Sequence, residues 1–172
     1  NPKLTTRLPQ KKGRNPYRII VDSRLRTPLH AKIFGEDAKE KLILATSCKK
    51  HDELKLYQDR VHHLLQIPAN ELGQLDLKTL MNELARLEIM SLLIEGGSEI
   101  SGSSVDAGIV DKICFFFAPL LIGGRGSTGM MGGQGINFIP EAQRVKDLKI
   151  KRFGTDICIE GYLQAPSSLS HE

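Results

Sequence analysis

Tryptophan is absent from the 172 residues, and six phenylalanines and three tyrosines are all the aromatic side chains present. Single-stranded nucleic acid is gripped by aromatic platforms interleaved with cations. A net charge of +4 and a pI near 9.0 therefore do not by themselves point to nucleic acid. The basic residues gather early, at Lys11, Lys12, Arg14, Arg18, Arg24, Arg26, Lys49 and Lys50. They read as a solvated face that also suits a small phosphorylated ligand. Long apolar runs are lacking too. The longest, residues 113–122, is broken by Pro119 and falls short of the ~20 residues of a membrane span. Neither nucleic acid nor a membrane is an expected partner.

Cysteine is scarce and scattered: Cys48, Cys114 and Cys158 form no C-x-x-C and no even-numbered framework. Buried, inert thiols in a reducing compartment are expected. The five histidines show no metal-ligand spacing, and the rings of His62 and His63 would point to opposite faces of a strand. No metal site is expected. The chain opens Asn1-Pro2 without a methionine or a secretory signal, so a fragment or processed product is expected. Its length suits one domain that buries about 70% of its unfolded surface without cross-links.

What is present alternates between strand and helix patterns. Tyr17 to Val21 is β-branched and ends at Asp22-Ser23; Leu42 to Thr46 and Val61 to Ile67 read as further strands, with a short charged helix over 52–60 between them. From Asp76, a candidate N-cap, Leu77, Leu80, Met81, Leu84 and Leu87 follow helical spacing with one buried stripe. A strand at Leu92–Ile94, a helix over 98–107 and a strand over 110–118, dense enough for burial on both faces, come next. Leu148 and Ile150 alternate with Lys149 and Lys151, and after Gly154-Thr155-Asp156 the β pattern resumes to Leu163, predicting an antiparallel hairpin. The expected fold class is α/β, a mixed sheet flanked by helices and ending in that hairpin. Residues 165–172 read as a flexible tail.

Two glycine-rich stretches compete for a phosphate. Gly124-Arg125-Gly126-Ser127-Thr128-Gly129 spells G-x-G-x-x-G, but the glycines and methionines after it cannot propagate a helix, and no acidic residue follows at ribose-binding distance. It reads as a loop. Glu95-Gly96-Gly97-Ser98-Glu99-Ile100-Ser101-Gly102-Ser103 lacks a famous signature but has the better context, a strand, then glycines, then a helix start. Backbone amides there can approach an anion without Cβ obstruction, aided by the helix dipole. Ser103-Ser104 stands where a P-loop carries Lys-Ser/Thr, which excludes an ordinary ATPase. Glu95, ending the apolar run, is expected to face a ligand's hydroxyls, since burying it without a partner would be costly.

Four segments in order carry a resemblance: NPKLTTR, NPYRIIVDSRLRTPLHAKIF, SLLIEGGSEISGS and VDKICFFFAPLLIGG. Together they resemble the riboflavin-biosynthesis reductase family, the reductase domain of the bifunctional deaminase–reductase, across residues 1–163. The resemblance implies a dihydrofolate-reductase-like fold and reduction of 5-amino-6-(5-phosphoribosylamino)uracil to the ribitylamino product, with NADPH as hydride donor. It implies that Leu4, Arg7 and Glu95 bind substrate, with Arg7 near its anionic end. Ser23 and the run Gly97, Ser98, Glu99, Ile100, Ser101, Gly102 and Ser103 would hold the cofactor. A homodimer, a cytoplasmic location and a deaminase domain fused upstream in the full protein are implied as well.

The sequence departs from the family in two ways. The family's first strand, helix and strand before LTTR are missing, so residues 1–164 are expected to be a reductase domain lacking its beginning. The deaminase zinc signature, H-x-E with P-C-x-x-C, is absent, so no zinc and no deaminase activity are expected of this chain. Hydride transfer asks for alignment more than for a strong base, and no catalytic residue is nominated. Two other readings stay open, a dihydrofolate or pteridine reductase-like enzyme and a non-catalytic nucleotide-binding module.

Overall fold

A computed structural model describes residues 4–6, 13–35 and 37–164. The chain divides into two compact units, Asn1–Met90 and Ser91–Glu172. Among the described residues no helix is long and apolar enough to cross a membrane.

The first unit is built on a parallel sheet, ordered β1-β2-β3, of β1 (Arg18–Val21), β2 (Leu42–Thr46) and β3 (His63–Gln66). Ile19 pairs with Ile43 and Ala45 with Leu65, as expected of strands joined by crossovers rather than hairpins. The first crossover carries a 3-10 turn (Lys32–Phe34) and α1 (Ala38–Lys41), the second α2 (His51–Gln58). All five residues of β2 are buried. Leu42 and Leu44 share a cluster with Ile33, Ala38, Tyr57 and Val61, and Ile20 and Leu64 pack against it. Ile43 and Ala45 point the other way and are equally buried, so both faces of β2 are covered. Each fully buried Leu or Ile contributes about 1.5–3 kcal/mol over leaving it in water.

Helix α3 (Leu77–Arg86) follows the predicted stripe, with Leu77, Leu80 and Leu84 buried and Met81 and Leu87 half-buried. The Asp76 carboxylate accepts from the Thr79 amide at 3.1 Å, the expected N-cap. At the amino end of β1, Arg18 is buried and paired with Asp37 at 2.7 Å. Asp37 also accepts from Asn15 Nδ2 at 3.0 Å, and Asn15 Oδ1 in turn accepts from the Thr6 amide. Burial pushes the Asp37 pKa up, but hydrogen bonds from Arg18 and Asn15 and the Arg18 charge outweigh it and hold it below the ordinary value.

The second unit contains α4 (Ser98–Asp106) and an antiparallel sheet ordered β4-β6-β5, of β4 (Lys112–Phe117), β5 (Val145–Phe153) and β6 (Asp156–Leu163). The hairpin is present, with Phe153 paired to Asp156 across Gly154 and Thr155. The parallel and antiparallel strands of the α/β class are both found, carried by two three-stranded sheets.

Three expectations fail. Leu92–Ile94 is not a strand: its composition favours extended backbone, but among the described residues no strand pairs with it, and Leu93 is exposed. A strand is a pairing, which propensity alone does not supply. β4 is not buried on both faces, since it is an edge strand of an antiparallel sheet and leaves Phe116 63% exposed. The cysteines are not uniformly buried: Cys114 is exposed, Cys48 half-buried and only Cys158 inside.

Candidate functional site

Within the first unit, the carboxyl ends of the parallel strands form a stitched edge, the place where open α/β sheets bind ligands. β1 runs into Asp22, a buried carboxylate that accepts from the Thr27 amide and the Thr27 hydroxyl, both at 2.6 Å, and from the Arg24 amide at 3.3 Å. Burial, the largest influence on its pKa, pushes upward. Hydrogen bonds from the Thr27 side chain and from the amides of Arg26, Thr27 and Arg24 outweigh that push and hold Asp22 below the ordinary value. Tyr57 of α2 pins the same loop, donating its hydroxyl to the carbonyls of Thr27 (2.7 Å) and Leu25 (3.2 Å).

Ser23 sits in this loop. Its carbonyl accepts from Ser47 Oγ at 3.0 Å and Thr46 Oγ1 at 3.4 Å, so the loop after β1 is tied to the end of β2. Arg24 and Arg26 are exposed and have no ion-pair partner among the described residues. Leu4 is placed elsewhere: Thr6, two residues on, bonds to Arg14 and Asn15 before β1, whereas Ser23 follows it. Arg7 lies outside the described residues.

Within the second unit, Gly97 is the N-cap of α4, with φ −74° and ψ 177°. An amide in the first turn of a helix has no acceptor within the helix, so Ser98, Glu99 and Ile100 present a row of donors. A Cβ added at Gly97 would meet nothing within 4 Å, so the backbone on that side is open to an approaching group. This is the geometry a diphosphate requires, and the residues fit a dinucleotide's phosphates to that extent. Ser98 and Ile100 are half-buried, Glu99 exposed, and Ser101 and Ser103 half-buried. Glu95 precedes this turn as an exposed side chain after a segment that forms no strand, so the cost of burial that suggested a ligand for it does not arise.

The two glycine stretches prove to be parts of one arrangement. The Gly132 amide donates to the Ser98 carbonyl at 2.9 Å, and the Gln134 amide donates to Asp106 Oδ2 at 2.7 Å. The end of the second stretch thus lies along α4. Gly102 makes the approach possible, because a Cβ there would run into the backbone of Gly132 and Gly133. One signal could have revealed this: a glycine inside a helix costs about 1 kcal/mol against alanine, and close backbone approach is the usual reason for it. The G-x-G-x-x-G segment itself is a turn, closed by the Ser127 amide and hydroxyl on the Gly124 carbonyl, with no helix after it. Sequence reading also missed Asp22, Thr27 and Tyr57, whose bonds link residues up to 32 positions apart.

Solved structures place the fold. Acinetobacter baumannii RibD superposes with a TM-score of 0.72 at 23% identity, over 94% of this chain and 43% of that one. A Thermotoga maritima protein named diaminohydroxyphosphoribosylaminopyrimidine deaminase/5-amino-6-(5-phosphoribosylamino)uracil reductase gives 0.70 at 22%, over 95% and 41%. The protein is thus of the dihydrofolate-reductase-like α/β class, the fold of these reductase domains.

The sequence narrows the class further. Residues 1–159 match the family model of the RibD C-terminal domain, and the chain belongs to that family. Riboflavin biosynthesis protein RibD of Actinobacillus pleuropneumoniae is 31% identical over 166 residues, 96% of this chain and 43% of that protein. The 2,5-diamino-6-ribosylamino-4(3H)-pyrimidinone 5′-phosphate reductase of Methanothermobacter thermautotrophicus is 28% identical over 161 residues, 93% of this chain and 72% of that protein. The chain spans less than half the length of the RibD relatives it matches.

Proposed function

We propose that this chain is a reductase domain of riboflavin biosynthesis that uses NADPH to reduce 5-amino-6-(5-phosphoribosylamino)uracil to its ribitylamino product. The observation that carries the reading is the family match over residues 1–159, which takes in both the LTTR segment and the EGGSEISGS turn. The open N-cap at Gly97 supports it. When bound, the nicotinamide would supply a hydride to C1′ of the ring-opened imine, whose C=N π bond breaks as the nitrogen takes a proton from solvent. The first-turn amides of α4 and the hydroxyls of Ser98, Ser101 and Ser103 hold the diphosphate, with the helix dipole favouring its charge. Gly102 acts at one remove, by letting Gly132 and Gly133 close against the helix. Ser23, in its braced loop, contacts the cofactor. Leu4 and Arg7 line the substrate site, where a guanidinium fork suits the phosphate. Glu95 accepts hydrogen bonds from the sugar hydroxyls. On the same reading the working protein is a cytoplasmic homodimer with a deaminase domain upstream.

The test is NADPH titration of paired variants, with product followed by chromatography. The φ of Gly97 is open to any residue and its surroundings are empty, so Gly97→Val should leave the thermal midpoint alone and sharply weaken NADPH. Gly126→Ala, in the exposed turn, should be mild. Equal losses, or the reverse order, would refute the assignment.

A further inference from the structure

Three side chains with metal-ligand chemistry meet on the antiparallel sheet, in a place the proposed reductase site does not use. Cys114 of β4 stands directly opposite Glu160 of β6, and Cys158 is two residues before Glu160. The period of two puts Cys158 and Glu160 on one face of β6, and the cross-strand partner Cys114 joins them there. Cys114 Sγ lies 3.3 Å from Cys158 Sγ, and one oxygen of Glu160 completes a triangle with all three atoms within 4.8 Å of one another. Cys158 forms a buried floor while Cys114 is exposed, leaving one open side. The Glu160 carboxylate, 16% exposed, is aimed by Lys151 Nζ at 2.7 Å and Lys112 Nζ at 3.1 Å.

Ladder geometry decides between the two things such a thiol pair can do. Cys114 and Cys158 are diagonal neighbours, a relation that separates strand positions by roughly 7–8 Å. A disulfide is commonest with Cα atoms about 5.5–6 Å apart, closer than that diagonal. A shared ion with bonds of about 2.3 Å to each sulfur holds sulfurs up to about 4.6 Å apart, which takes in the 3.3 Å between Cys114 Sγ and Cys158 Sγ. We propose that Cys114, Cys158 and Glu160 form a binding site for a thiophilic divalent cation of the zinc class, with the open side left to water. Both thiols lose their protons to solvent on binding. Lys112 and Lys151 compete with the ion for Glu160, so the site is weaker than a closed four-ligand one.

The experiment is a titration of the reduced, chelator-treated chain with Cd²⁺, followed by Zn²⁺ competition. A single-equivalent sulfur-to-cadmium charge-transfer band that Zn²⁺ displaces is expected. Cys114→Ser, at an exposed position the fold tolerates, should abolish the band and weaken binding by more than ~10-fold, the loss that even an outer partner of a metal ligand can cause. Cys48→Ser should change nothing. Lys151→Met should tighten binding, which a purely structural lysine would not do. The proposal is overturned by absence of the band, by its survival in Cys114→Ser or by its loss in Cys48→Ser. Closure of a Cys114–Cys158 disulfide by oxidised glutathione in a chain that shows no cadmium band would overturn it equally.

Discussion

Gly102→Ala separates a packing role from a binding role in the turn assigned to the cofactor. In an unobstructed helix this substitution stabilises by about 1 kcal/mol, because alanine loses less backbone freedom on folding. Here the new methyl runs into the main chain of Gly132 and Gly133, which cannot rotate aside as a side chain would. Overpacking of this kind costs about 1–3 kcal/mol. If the loop lifts off instead, the Gly132–Ser98 and Gln134–Asp106 hydrogen bonds are lost, at about 1 kcal/mol each. After the propensity gain the net destabilisation is centred on about 1 kcal/mol by either route, or a fall in thermal midpoint of roughly 2–4 °C for a chain this size. Thermal melts give the magnitude, and amide exchange at Gly132 and Gln134 locates it. Gly97→Ala is the control and should be nearly neutral, since its Cβ meets nothing. A Gly102→Ala protein at least as stable as the parent, with the Gly132 amide still protected, would show that the loop does not press on the helix.

Asp22 and Asp37 both titrate below the ordinary aspartate value of 3.8, so each binds its proton more weakly folded than unfolded. Their stabilisation is present above the unfolded value and is lost as pH falls through the lower folded values. Asp22→Asn with Asp37→Asn should therefore flatten the acid limb of a stability–pH curve as pH falls below the unfolded value of 3.8; an equally steep limb would deny both carboxylates this role. Arg24 and Arg26, exposed and without an ion-pair partner among the described residues, follow Ser23 in sequence, where the 2′-phosphate of the proposed cofactor would meet them. A charge-assisted contact of about 1.5–3 kcal/mol implies that their double alanine variant shifts the NADPH/NADH affinity ratio about ten-fold or more, and an unchanged ratio leaves them as surface charge. Glu95→Gln, at an exposed position, should lower turnover with little change in NADPH affinity or melting. A large drop in melting temperature with normal turnover per folded molecule would make Glu95 part of the scaffold.

The sequence by itself determined what depends on neighbours along the chain. The stripe from Leu77 to Leu87 with its Asp76 cap and the closing hairpin are legible because residues on one face recur with a period of 3.6 or 2, and Leu42–Thr46 because burial on both faces leaves an unbroken apolar run. The start of α4 after Gly97 was legible for the same local reason, as a pair of glycines followed by a helix-initiating serine. Tertiary structure alone decided what depends on pairing at a distance. Nothing in the spacing of Cys114 and Cys158 announces that they meet, because a 44-residue separation is resolved only by the register of β4 on β6. The same holds for Gly102 under Gly132, and for Tyr57 pinning the loop braced by Asp22. Leu92–Ile94 shows the converse, a segment with strand composition and no partner, because a ladder's hydrogen bonds need a second chain segment that composition does not specify.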